Sequence, residues 1–265
     1  MARFRRRRVT ATSINRMIPN ALTLLALCSG LTAIRFALQD RWDVAVGAVL
    51  IAMLFDGLDG RIARLMGATS ELGAQLDSLS DVIAFGVAPA VMIYLWTLSD
   101  AGGFGWAACL VYAACCALRL ARFNTALLEE SPAPPASRYF VGVPAPAAAG
   151  LAVLPITLSL VFGDGWLRSD PVSILVLLAV ALLMISRVPT FSAKRLKLSG
   201  PQRLFALVGL VLFIALLISE TWIMVSLLTL VYLATIPVSV MQRRRELRRG
   251  ETHEPGESVL PEDEL

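Results

Sequence analysis

The stretch "DGLDGRIARLMGATSELGAQLDSLSD", residues 56–81, sets four aspartates, two arginines, a glutamate and four glycines between two long apolar runs. On a helix, Asp56 and Asp59 stand three apart and share a face, which Gly60 and Arg64 continue, and Asp77 and Asp81 form a second stacked pair four apart. Between the pairs, "RLMGATSELG" (residues 64–73) is short and polar enough to turn a helical hairpin at a membrane surface. Two helices joined this way run antiparallel, so the spacing predicts that their acidic faces meet across a gap.

Outward from that hairpin the chain is apolar. Of its 265 residues 57% are hydrophobic, and the mean hydropathy is +0.69, beyond the composition of soluble domains. Eight runs approach the length a helix needs to cross hydrocarbon, at about Ile18–Leu38, Val44–Met66, Leu76–Leu98, Phe104–Phe123, Val143–Phe162, Val172–Ser186, Leu204–Ser219 and Trp222–Val240. The sixth and seventh are the shortest, which leaves six or seven spans as alternatives to eight. The expected fold class is therefore all-α, a polytopic membrane helical bundle of about eight transmembrane helices.

Lysine and arginine placement sets the orientation. The basic start "MARFRRRRV", Arg61 and Arg64, the arginines of residues 119–138 and 187–203, and "RRRELRR" near the end fall on one side of an eight-span bundle. Arg41 and Arg168 fall on the other, with Arg35 near a helix end, so both termini are expected in the cytoplasm. The first run is too long for a signal-peptide core and is followed by further spans, which favours an uncleaved reading. Residues 1–17 then form a basic cytoplasmic segment, 18–240 the membrane domain, and 241–265 a charged, disordered tail. Residues 129–138, with three prolines, are expected to form a cytoplasmic loop.

The four cysteines, Cys28, Cys109, Cys115 and Cys116, lie inside apolar runs and read as small buried hydrophobes. The only histidine, His253, sits in the polar tail, which excludes a histidine-dependent triad and a Cys/His zinc site.

Four carboxylates facing one another near hydrocarbon repel and are costly, and ionisable residues placed there usually mark function. A divalent cation removes the repulsion. All-oxygen ligands suit Mg²⁺ or Mn²⁺, and several carboxylates together can hold two ions as a clamp on phosphate oxygens. Gly57, Gly60 and Gly73 have no Cβ and allow a ligand close to the helix surface. Small Ala63 does the same, and Arg64 can fork onto a phosphate.

Asp56, Asp59, Gly60, Ala63, Arg64, Gly73, Asp77 and Asp81 together spell DxxDGxxAR, eight residues, then GxxxDxxxD. This resembles the signature of the CDP-alcohol phosphatidyltransferases. The resemblance implies a helical membrane enzyme with a six-helix core, here with two further helices, that works as a homodimer and displaces CMP from a CDP-linked lipid or alcohol. It implies Asp56, Asp59 and Asp77 as metal ligands, and Asp81 as the base that also touches the metal site. With Asp56, the residues Gly60, Ala63, Arg64 and Gly73 would line the cytidine diphosphate pocket.

The acceptor must be read elsewhere. "CALRLARFN" puts Arg119, Arg122 and Asn124 level with the acidic hairpin, and Arg119 and Arg122 share a face that suits a carboxylate-bearing acceptor. By position alone the positive-inside rule explains these arginines equally well. "ALRLARFN" followed by "FVGVPAPAAAG" (residues 140–150), with "PNALTLLALCSGLTAI" (residues 19–34), resembles the bacterial phosphatidylserine synthase subfamily. That likeness covers residues 18–150. It implies CDP-diacylglycerol and L-serine as substrates in the inner membrane, with the site on the cytoplasmic side, membrane lipids as surroundings and no nucleic-acid partner. Glycerol 3-phosphate, an inositol compound or choline are the alternative acceptors. A cation-coupled transporter would need acids spread through the membrane depth, and outside this hairpin the runs hold almost none.

Overall fold

The computed structural model describes residues 11–68, 70–128, 139–186, 189–191 and 200–248. Each of the eight apolar runs is helical there. α1 is Ala11–Ala37 and α2 is Trp42–Leu65. α3 is the unbroken helix Glu71–Leu98, and α4 is Gly102–Leu128. The fifth run is a bent pair, α5 (Ala145–Ala152) and α6 (Leu154–Phe162). α7 is Asp170–Ile185, α8 is Gly200–Ser219 and α9 is Thr221–Arg248.

Four described helical stretches are long and apolar enough to cross a membrane, Met17–Ala37, Glu71–Leu98, Gly102–Thr125 and Thr221–Gln242, and the bent pair makes five. α2 falls short because its C-terminal third carries Asp56, Asp59, Arg61 and Arg64, and Asp170–Ile185 and Ala206–Ser219 are shorter than a full span.

Two differences from the sequence reading are structural. The all-α expectation gains a small antiparallel ladder between β1 (Tyr139–Val141) and β2 (Pro189–Phe191), which pairs Tyr139 with Phe191. Three-residue strands are too short to leave a periodic signal. α9 also continues to Arg248, since "RRRELR" is made of good helix formers. His253 and the expected loop at 129–138 lie outside the described residues.

Local chemistry sets the helix boundaries. Gly67 closes α2 at φ +58°, a left-handed position that glycine adopts without a Cβ penalty. Ser70 caps α3, its Oγ accepting from the Gly73 N–H at 3.1 Å. The break after Ala152 lies just before Pro155, which has no N–H to continue the ladder, and the pair bends by 40°.

α3 and α4 run antiparallel in register. Asn124 Nδ2 donates to Ser78 Oγ at 2.8 Å, a Cβ on Gly86 would lie 3.1 Å from Cys116 Cβ, and Cys109 Sγ meets the Ala90 carbonyl at 3.3 Å. Pro89 lacks the N–H that would bond the Phe85 carbonyl four residues back. The helix widens there into a π-helical turn, Val82–Val87, and the Tyr112 hydroxyl donates to the freed Phe85 carbonyl at 2.9 Å. At the far end of α3, Arg168 Nε donates to the Trp96 carbonyl at 3.1 Å.

α1 is the spine of the site. Both α2 and α3 pack along it, whereas they touch each other only lightly. Gly30 lets α3 come close, because a Cβ there would fall 2.6 Å from Ala84 Cα. Cys109, Cys115 and Cys116 are buried as expected, but Cys28 is exposed on the outer face of α1.

Candidate active site

The last three turns of α2 and the first three of α3 bring the aspartates together. One carboxylate oxygen from each of Asp56, Asp59 and Asp77 lies within 4.8 Å of the others. Asp81 stands outside that trio, one turn further along α3, and only 8% of its surface is exposed.

Thr23 of α1 ties the two sides. Its hydroxyl donates to Asp59 Oδ2 at 2.6 Å, and its backbone carbonyl accepts from Ser80 Oγ at 3.0 Å. Asp59, at 4% exposure, is thereby buried with a partner. Neither Thr23 nor Ser80 stands out in the sequence as a functional residue. Their only sequence signal is a hydroxyl inside an apolar run, and that is common in membrane helices bonding their own backbone.

Among the described residues, the ion pair that forms is Arg168 with Asp164, far from this cluster in the fold. No arginine among the described residues salt-bridges the four aspartates. Buried carboxylates without a counter-charge are strongly unfavourable, and an all-oxygen donor set converging on one point suits a hard divalent cation. The residues present therefore fit a metal centre.

The glycine-rich side of the gap is open. Gly57 and Gly60 are exposed, and a Cβ on either would meet nothing within 4 Å. Arg64 is exposed and lies along its own helix, with Nε donating to the Gly60 carbonyl at 2.9 Å. Ala63 is half-buried, and its carbonyl accepts the Ala68 N–H at 2.9 Å. Gly73 is the crowded one, since a Cβ there would sit 3.1 Å from Ser70 Oγ and 3.2 Å from Asn20 Oδ1.

The chain matches the family described as CDP-alcohol phosphatidyltransferase over residues 16–185. It belongs to that family. A second description, CDP-alcohol phosphatidyltransferase 2, matches residues 202–237, so α8 and α9 carry family likeness too. Among curated relatives, the CDP-diacylglycerol–serine O-phosphatidyltransferase of Mycobacterium leprae is 38% identical over 229 residues, 86% of this chain and 76% of that protein. The protein of the same name from Helicobacter pylori strain 26695 is 36% identical over 194 residues, 72% of this chain and 78% of its own length. An archaetidylserine synthase from Methanothermobacter thermautotrophicus is 36% identical over 176 residues, 64% and 68% of the two chains. The likeness thus runs well past Gly150, where the sequence reading stopped because the later helices carry no polar signature.

The three acceptor candidates on α4 separate. Arg119 is half-buried with its Nε enclosed and unpartnered, and it is electrostatically coupled to Asp81. Arg122 is exposed and turns the other way, with Nη1 donating to the Ile185 carbonyl at the end of α7 at 3.3 Å. Asn124 is committed through Nδ2 to Ser78, the neighbour of Asp77.

Proposed function

We propose that this protein transfers the phosphatidyl group of CDP-diacylglycerol to the hydroxyl of L-serine, giving phosphatidylserine and CMP. The observation that carries the reaction type is the trio Asp56, Asp59 and Asp77, with Asp81 one turn further along the same helix. The relatives' printed activities carry the acceptor.

Asp56, Asp59 and Asp77, with Asp81 at the edge of the set, would hold Mg²⁺ or Mn²⁺, two ions in this proposal. Bound there, the metal would neutralise pyrophosphate oxygens and stabilise CMP as a leaving group. The open face of Gly57 and Gly60 lets the cytidine diphosphate approach α2 closely, and Ala63, Arg64 and Gly73 complete that pocket. Asp81 accepts the proton of the serine hydroxyl as its oxygen bonds to the lipid-bearing phosphorus and the bond to CMP breaks. Arg119, with its enclosed Nε, anchors the serine carboxylate. Asn124 holds the Ser78 hydroxyl beside Asp77, and Arg122 braces α4 against α7, where either can border the acceptor path.

The membrane domain of this proposal is residues 18–240, arranged as eight spans with both termini and the site on the cytoplasmic side of the inner membrane. The protein works as a homodimer, as the family resemblance implies.

The test is CMP release by purified protein in mixed micelles with Mn²⁺ or Mg²⁺, offering serine, glycerol 3-phosphate, inositol, inositol phosphate and choline separately. Release that depends on serine alone is the expected result. Release with a different acceptor would retain the acidic site and discard the serine pocket.

A further inference from the structure

Among the described residues five buried polar side-chain atoms have no partner, and α9 carries two of them, Ser226 Oγ and the Tyr232 hydroxyl. The Tyr232 hydroxyl is shut off from solvent and makes no hydrogen bond, and the same is true of Arg119 Nε. The two side chains are near enough for their charges to interact, and Arg119 stands in the same relation to Asp81. Tyr232 packs against the edge of the core, on a helix that lies along α6 and β2.

Enclosing a phenol hydroxyl or a guanidinium N–H with nothing to bond is costly, and native structures rarely do it without a reason. Both atoms here are donors. Two neighbouring donors, one of them beside a carboxylate base, are satisfied together by a small anion with two acceptor oxygens. The α-carboxylate of an amino acid is such a group, and its hydroxyl would then face Asp81.

We infer that Tyr232 is a specificity-determining residue of the acceptor pocket, binding the acceptor's carboxylate together with Arg119, so that the C-terminal helix pair completes the site. This rests on the serine reading above. It gives α9 a chemical task that the apolar sequence of the last helices does not announce.

The test is Tyr232→Phe in the full-length protein, with steady-state kinetics in both substrates. Losing a hydrogen bond to a charged group should raise the KM for serine roughly tenfold or more while the KM for CDP-diacylglycerol stays within about twofold. Serine methyl ester, which keeps the hydroxyl and lacks the carboxylate anion, should serve the variant and the wild type equally. The melting temperature without serine should not fall, because the hydroxyl that is removed has no partner in the protein.

An unchanged serine KM, equal rises for both substrates, an equal loss with the methyl ester, or a lower melting temperature would each overturn the inference. The last would mean that the hydroxyl bonds an ordered water or a protein group. Wild-type turnover that ignores serine would sink the serine reading and this inference together, whereas serine-dependent wild-type turnover with an indifferent variant would sink this inference alone. Tyr232→His, which keeps a ring donor, should recover part of the serine affinity; recovery equal to that of the phenylalanine variant would also count against it.

Discussion

The smallest change with the widest reach in this site is one hydroxyl on α1. Thr23 and Thr32 lie on the same helix with their hydroxyls 3.1 and 2.6 Å from the carbonyl four residues back, but the Thr23 proton goes to the nearer Asp59 Oδ2 at 2.6 Å. From the sequence the two threonines look alike, because a threonine that bonds only its own helix leaves the same trace as one that orients a ligand. The aspartates were legible for the opposite reason: charges spaced three and four apart inside an apolar run have no cheap structural explanation. Groups that orient metal-binding carboxylates typically change metal affinity 10–100-fold when removed. Thr23→Val should therefore shift the Mn²⁺ midpoint of CMP release upward by about 10–100-fold, with far less effect on turnover at saturating metal. An unmoved midpoint would show that Thr23 does not position Asp59.

Among the elements, α3 is where local rules and tertiary packing part company. The apolar run at Leu76–Leu98 was plain, and the helix begins five residues earlier because Ser70 caps it. The widened turn at Val82–Val87 was not legible, since the group that stabilises it, Tyr112, is 27 residues away in sequence. Tyr112→Phe keeps the ring and strands the buried Phe85 carbonyl, a loss of about 1–3 kcal/mol. At roughly 2–4 °C per kcal/mol for a chain of this size, the melting temperature in detergent should drop by several degrees. CMP release at a permissive temperature should persist, because Tyr112 touches none of the aspartates. A variant that melts like the wild type would separate the hydroxyl from the stability of the turn.

At the scale of the molecule, the eight helical runs were readable, and the number that cross the bilayer was not. α2 carries Asp56, Asp59, Arg61 and Arg64 in its last third, and α7 and α8 are short, so length and composition certify only four or five described spans. The eight-span arrangement predicts that reporters fused at either end share a side: green fluorescent protein should fluoresce at both termini, and alkaline phosphatase should be inactive at both. Opposite behaviour at the two ends would mean an odd number of spans. The same whole-molecule view changes the meaning of α1, against which α2 and α3 both lie while barely meeting each other. The distance between the two acidic faces, which brings one carboxylate oxygen of each of Asp56, Asp59 and Asp77 within 4.8 Å of the others, is then set by how each helix seats on α1 and not by direct contact between α2 and α3. A backing of this kind holds mutually repelling carboxylates close without asking them to attract one another. In the proposed reaction the donor set then needs little rearrangement from one turnover to the next.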